Sequence, residues 1–152
     1  GLGLNDIQAV IADMGPFPGA KEFVEWVRTH FQLIILSDTF YEFAHPLMKQ
    51  LGWPTIFCHK LETDEKGMIT AYKLRQPDQK REAVKALHGL NYRVIAAGDS
   101  YNDTTMLGEA DEGFLFDAPE NVIAEFPQFP PIHGYAALKE AIRNASNRDI
   151  PA

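Results

Sequence analysis

The amino-acid sequence predicts an α/β fold in which a doubly wound parallel sheet is covered by helices. Two short, unbroken apolar runs, residues 33–36 and 94–97, are typical of strands that are buried on both faces. Stretches with apolar residues at helical spacing surround these runs. Because strands that alternate with helices favour a parallel sheet, we expect this architecture for the chain.

The first half of the chain is predicted to begin with two helices and to end with a hairpin. Its helices show apolar residues at every third or fourth position, and Gly15 and Gly52 end the first and third of them. Turn-forming residues at 64–67 indicate the hairpin. In order, the predicted elements are helix 5–14, helix 20–31, strand 33–36, helix 42–51, strand 55–57 and hairpin 59–74.

The second half of the chain alternates between helices and strands. Its first strand, 94–97, runs directly into Gly98 and Asp99, as the strand at 33–36 runs into Ser37. Since ligands of such sheets bind at the carboxyl ends of the strands, these two positions are the first places to look for a site. In order, the predicted elements are helix 79–90, strand 94–97, helix 104–110, strand 113–116, helix 121–126 and helix 135–144.

The composition fits a single core domain over residues 1–152. The net charge of −7 argues against binding to nucleic acid or to an anionic membrane, because both rely on an excess of Lys and Arg. No apolar run reaches the roughly 20 residues of a membrane span. Cys58 is the only cysteine, which excludes an intrachain disulfide and suits a reducing compartment, so we expect a cytoplasmic protein.

The stretch Gly98-Asp99-Ser100-Tyr101-Asn102-Asp103 is the strongest candidate for a metal site. Asp99 and Asp103 offer hard oxygen ligands of the kind that Mg²⁺ prefers. Gly98 allows a tight turn, and Asn102 and Asp103 can cap the helix that follows. The alternative is that both aspartates only form turns and caps, but the buried strand in front favours a site.

Two further positions carry groups that can handle phosphate. The hydroxyl and backbone amides of Ser37-Asp38-Thr39 can hold phosphate oxygens, although the same residues would also serve as an ordinary helix N-cap. Lys80 can pair with phosphate and with the carboxylates of a metal site, or it can be a solvated lysine. The order Ser/Thr, then Lys, then Gly-Asp-x-x-x-Asp is more specific than any one of its parts.

On these motifs the chain resembles the phosphoserine phosphatase branch of the haloacid dehalogenase superfamily. The resemblance implies that Ser37 and its neighbours Asp38 and Thr39 hold phosphate, and that Lys80 stabilises the phosphoryl group. It also implies that Asp99 binds Mg²⁺, Asp103 supports the metal site and Asn102 faces the phosphate. The stretches that carry the resemblance are 35–43, 58–62, 74–76, 92–107, 118–123 and 125–130.

The first motif of that family, Asp-x-Asp or Asp-x-Glu after an apolar strand, is not found in this sequence. By the resemblance, we expect the sequence to begin inside a cap region that is mostly absent, with residues 1–14 as a remnant of a cap helix. Alternatively, Ala9–Asp13 forms a replacement first strand with Asp13 as the nucleophile. Without the central strand, we expect the sheet to rearrange, to close on itself or to exchange a strand with another copy in a homo-oligomer.

Two classes of function follow from the resemblance. The first is a Mg²⁺-dependent phosphatase or phosphotransferase that acts on a small phosphorylated amino acid through an aspartyl-phosphate. The second is a non-catalytic domain that keeps affinity for metal or phosphate, or acts as an oligomeric binding module. A receiver domain of the response-regulator kind is disfavoured, because its acidic residues come early whereas Asp99 and Asp103 come late.

Overall fold

Helices and strands alternate along residues 3–152, which are the residues that the structure, a computed structural model, describes. The α/β class predicted from the sequence is confirmed. The chain divides between Pro77 and Asp78 into two compact units, and each unit holds one three-stranded sheet. No helix among residues 3–152 is long and apolar enough to cross a membrane.

The first unit builds a mixed sheet in the order β1-β2-β3. Its elements are α1 (Leu4–Met14), α2 (Ala20–His30), β1 (Ile34–Phe40), α3 (Tyr41–Gln50), β2 (Thr55–Thr63) and β3 (Ile69–Lys73). Strands β1 and β2 are parallel, as expected for strands joined through a helix, whereas β2 and β3 form the predicted antiparallel hairpin. A core of Val24, Ala44, Met48 and Leu51 lies between α2 and α3 and their neighbours.

The second unit builds a parallel sheet in the order β4-β5-β6. Its elements are α4 (Gln79–Gly89), β4 (Ile95–Gly98), a 3₁₀ turn (Tyr101–Asp103), α5 (Thr104–Glu109), β5 (Glu112–Phe116), α6 (Glu120–Glu125), β6 (Pro131–Ile132) and α7 (Tyr135–Ala145). Its core includes Val84, Leu107, Leu115 and Leu138, each at most 2% exposed. A Cβ at Gly113 would lie 2.5 Å from the carbonyl oxygen of Leu107, so α5 and β5 can approach this closely only at a glycine.

The replacement strand suggested for Ala9–Asp13 is wrong, because these residues belong to α1. The helix packs on α3, where the Gln8 side-chain amide donates to the Glu42 carbonyl at 2.8 Å and that of Gln50 donates to the Ala12 carbonyl at 3.0 Å. Asp13 is therefore an exposed residue of a helix, and the strand end that a nucleophile at this position needs does not form. The identity of residues 3–14 as a cap remnant stays a prediction.

Strand β1 is longer than the sequence predicted. Ser37-Asp38-Thr39 lie inside it and not after it, because the strand pairs with β2 again at Phe40 and His59 after an irregularity that follows Leu36. Its side chains are half-buried and not fully buried, since β1 is the outermost strand of its sheet. Strand β2 is continuous from Thr55 to Thr63, because it pairs with β1 as far as His59 and with β3 from Lys60 onward.

Candidate functional site

The loop after β4 is organised around the carboxylate of Asp103. Its Oδ2 accepts hydrogen bonds from the backbone N–H groups of Asp99 at 2.9 Å and Ser100 at 3.1 Å, and from the Ser100 hydroxyl at 3.2 Å. Asp103 is only 6% exposed. One side chain thus fixes the backbone that connects the end of β4 to the 3₁₀ turn.

Gly98 is required by the same arrangement. A Cβ at this position would lie 2.5 Å from the Cβ and Cγ of Asp103 and 2.6 Å from its Oδ2, closer than real Cβ contacts. Any other residue would push the carboxylate out of the loop. The glycine of the motif therefore serves the close approach of Asp103.

Lys80 lies against the other oxygen of the same carboxylate. Its Nζ is 2.7 Å from Asp103 Oδ1, and both side chains are largely buried, at 12% and 8% exposure. Burial alone would raise the pKa of Asp103, but the Lys80 ammonium and the amides of Asp99 and Ser100 outweigh it, and the pKa lies below its usual value. The Asp103 carboxylate is therefore ionised at neutral pH.

Polar contacts between α4 and α5 hold Lys80 in place. The Thr105 hydroxyl donates to Asp78 Oδ1 at 2.7 Å, at the start of α4. One turn further, Arg81 Nε donates to Glu109 Oε2 at 3.3 Å. These contacts fix the part of α4 that carries Lys80 against α5.

Asp99 is the acidic side chain of the loop that faces solvent, and the Asn102 amide is exposed beside it. Asp103 already uses both of its oxygens within the protein, so it fits the role of a support better than that of a metal ligand. Residues 3–152 hold no group of three or more Asp, Glu, His or Cys side chains arranged around one point. Mg²⁺ is commonly bound by one or two carboxylates, with water and phosphate oxygens as its other ligands, and Asp99 fits such a site.

Tyr101 anchors the outer side of the loop, which the sequence pattern did not indicate. Its hydroxyl donates to Glu125 Oε1 at 2.7 Å and accepts from the Asn121 amide at 3.2 Å. Its ring meets Phe126 edge-on, with centroids 5.9 Å apart. Because the hydrogen bond to Glu125 favours the protonated phenol, the pKa of Tyr101 is raised. Nothing in the spacing of the motif marks this residue.

The other predicted phosphate-handling residues belong to the first unit. Ser37, Asp38 and Thr39 lie in β1, where the Thr39 backbone N–H donates to the Ser37 hydroxyl at 3.3 Å. Asp38 Oδ1 lies 3.7 Å from Nε2 of the buried His59. Their roles in binding phosphate, like those of Lys80, Asp99 and Asn102, stay predictions.

Comparison with known proteins places this geometry in a family. The model of the haloacid dehalogenase-like hydrolases matches residues 3–111. A phosphoserine phosphatase of Pseudomonas syringae pv. tomato is 61% identical over 150 residues, covering 99% of this chain and 63% of that protein. The phosphoserine phosphatase ThrH of Pseudomonas aeruginosa is also 61% identical over 150 residues, covering 99% of this chain and 73% of its own length. The chain thus spans about two thirds to three quarters of the length of these relatives.

Solved structures agree on the fold. A phosphoserine phosphatase from T. onnurineus in complex with NDSB-201 has a TM-score of 0.72 at 24% identity, covering 95% of this chain and 67% of that one. A phospho-aspartyl intermediate analogue of phosphoserine phosphatase has a TM-score of 0.74 at 18% identity, covering 94% and 70%. With the family model matched over most of its length and relatives at this identity, the chain belongs to the haloacid dehalogenase-like hydrolases.

Proposed function

We propose that the chain is the greater part of a Mg²⁺-dependent phosphatase or phosphotransferase that acts on a small phosphorylated amino acid. The observation that carries the proposal is the Lys80–Asp103 pair at 2.7 Å, in the loop where the backbone of the exposed Asp99 donates to the same Asp103 carboxylate. A buried lysine fixed beside a metal-binding carboxylate is suited to a substrate that brings concentrated negative charge. The names of the relatives at 61% identity supply the substrate class, phosphoserine or a close analogue.

Each residue has a distinct task in this proposal. Asp99 would hold Mg²⁺, which when bound would offset the charge of the transferring phosphoryl group. Asp103 positions the loop and holds Lys80, whose ammonium would interact with phosphoryl oxygens. Asn102 would donate its amide to the phosphate. We propose that transfer passes through an aspartyl-phosphate that water then hydrolyses, and none of the residues 3–152 is assigned as the accepting aspartate.

Phosphate release from O-phospho-L-serine, measured with and without Mg²⁺, tests this function. We expect Mg²⁺-dependent turnover that falls by at least about two orders of magnitude in Lys80→Gln, as is typical when a preorganised charge at a transition state is removed. Lys66→Gln is the matched control, because it removes the same charge from an exposed hairpin turn. A folded chain without turnover, by far-UV circular dichroism and phosphate assay, would sink the enzyme proposal for this polypeptide.

A non-catalytic, oligomeric binding module is the second candidate, and the sheet topology favours it. Strands β1 and β4 are each the outermost strand of their sheet, and such an edge can accept a strand from a second copy. Sedimentation velocity over a range of concentrations distinguishes the two. A monomer at every concentration would count against strand exchange.

Cytoplasmic placement belongs to the same proposal and rests on the buried free thiol of Cys58.

A further inference from the structure

A small cleft lies entirely within the first unit. It encloses about 150 Å³, enough for roughly five water-sized groups. Its walls come from the start of α3, the middle of β2 and the chain at the end of β3. The residues that line it are Tyr41, Cys58, His59, Lys60, Lys73, Leu74 and Arg75.

Three of the lining residues carry cationic side chains. Lys60 and Lys73 are direct cross-strand partners of the β2–β3 hairpin, and Arg75 follows two residues after Lys73. Like charges placed directly opposite each other across a sheet are destabilising unless something compensates them. The chain carries a net charge of −7, so this excess of positive charge is local.

The neighbouring carboxylates compensate this charge only in part. Glu62 pairs with Lys73 at 2.6 Å, and its hydrogen bond raises the pKa of that lysine. Glu42 accepts the backbone N–H of Leu61 at 3.0 Å. Neither Lys60 nor Arg75 forms an ion pair with any of the residues 3–152.

Arg75 is held with most of its donors available. Its guanidinium lies over the Phe57 ring, 5.1 Å from the centroid, and Nη2 donates to the Tyr41 hydroxyl at 3.4 Å. Its backbone N–H donates to His59 Nδ1 at 2.8 Å. A guanidinium has five N–H donors in a planar fork, so a fork fixed by stacking is prepared for a two-oxygen anion.

Cys58 lines the cleft but is not a reactive group there. Cys58 is 1% exposed, and burial raises the pKa of its thiol to about 11. It therefore stays a neutral thiol at neutral pH and is a poor nucleophile. His59 accepts the Arg75 N–H through Nδ1, and its Nε2 lies 3.7 Å from Asp38 Oδ1.

We propose that this cleft binds a compact oxyanion, a carboxylate or a phosphate group, through the Arg75 fork with Lys60. The volume suits one anionic group of a small metabolite and not an extended chain. His59 lines the cleft, and its Nε2 lies 3.7 Å from Asp38 of the Ser37-Asp38-Thr39 segment. An anion bound in the cleft would therefore change the surroundings of β1. The proposal does not depend on turnover.

Two-dimensional ¹H–¹⁵N NMR of the purified chain in Mg²⁺-free buffer tests the cleft. Inorganic phosphate and acetate are titrated separately at constant ionic strength, and the Arg75 Nε–H and the Lys60 amide are followed. We expect saturable chemical-shift changes at both resonances. In Arg75→Gln the dissociation constant should rise by at least about tenfold, equivalent to about 1.4 kcal/mol. Saturation by only one of the two anions supports the site and identifies which group it takes.

Matched variants keep the test decisive. Lys66→Gln removes a charge from the turn of the same hairpin and should leave both titrations unchanged within twofold. Arg75→Lys keeps the charge but loses the fork and should bind with intermediate affinity. If Arg75→Gln fails to fold, the wild-type shift at Arg75 Nε–H decides alone. No saturable shift there, or equal affinity in wild type and the Arg75 variants, would overturn the proposal.

Discussion

Replacing Asp103 by asparagine tests how the loop after β4 is held together. All the groups around this carboxylate are donors: the Lys80 ammonium on Oδ1, and two backbone amides with a hydroxyl on Oδ2. An asparagine keeps one acceptor oxygen but must turn its NH₂ group toward one of these donors. It also removes the negative charge that the Lys80 ammonium, whose side chain is 12% exposed, contacts at 2.7 Å.

The expected cost follows from these contacts. Removing one partner of a buried ion pair costs about 3–5 kcal/mol, and the residual exposure of Lys80 places this case near the lower end, at about 3 kcal/mol. For a chain of this size, such a loss lowers the melting temperature by about 6–12 °C. Thermal unfolding by circular dichroism measures the change. Hydrogen exchange locates it, because the amides of Asp99 and Ser100 should become the most affected.

The same variant should change the pH dependence of stability. The pKa of Asp103 lies below its ordinary value of 3.8, so its charge stabilises the fold above that pH. This contribution is lost as the pH falls through the lower folded-state value. The difference in free energy of unfolding between wild type and Asp103→Asn should therefore be largest at pH 7 and should decrease under acid conditions. Asp149→Asn, which changes an exposed carboxyl, is the control. A loss of stability at pH 7 in Asp103→Asn no larger than that in the control would refute the reasoning.

Three further predictions concern single positions. Gly98→Ala should lower the free energy of unfolding, measured in urea, by about 1–3 kcal/mol. Gly89→Ala in α4, where a Cβ meets nothing within 4 Å, should be neutral or stabilising. Equal effects of the two substitutions would contradict the close packing at Gly98. Spectrophotometric titration should show Tyr101 ionising above its ordinary pKa of 10, and Glu125→Gln should lower that value; no change would remove the anchoring role of the pair. Cys58 should react with a thiol reagent at pH 8 only on unfolding, and rapid labelling of the native chain would contradict its burial.

Much of the fold could be predicted because its signals are local. The helices follow from apolar spacing, and the hairpin follows from Asp64, whose side chain accepts the backbone N–H groups of Lys66 and Met68 at 2.9 Å. The loop Gly98–Asp103 is local as well, since Asp103 binds amides three and four residues before it. Such contacts need no knowledge of the rest of the chain.

The remaining features depend on residues distant in sequence. The extension of β1 to Phe40 follows from its pairing with His59, and β6 is a two-residue strand that exists because Leu115 and Phe116 pair with it. The apolar run at 9–13 fits a strand by composition, but packing against α3 makes it a helix. Tyr101 belongs to the predicted loop, yet its anchoring role depends on Glu125, which a motif cannot show.

Mg²⁺ titration of the chain, followed by the amide resonances of the loop, tests most directly whether Gly98–Asp103 forms a metal site. We expect saturable chemical-shift changes at the amides of Asp99 and Asn102, and we expect these changes to be lost in Asp99→Asn. An unchanged melting temperature of Asp99→Asn would show that the Lys80–Asp103 pair is intact in this variant. Asp149→Asn serves as a control for removing an exposed carboxylate. Absence of loop shifts, or equal Mg²⁺ affinity in wild type and Asp99→Asn, would contradict the assignment of this loop as a metal site.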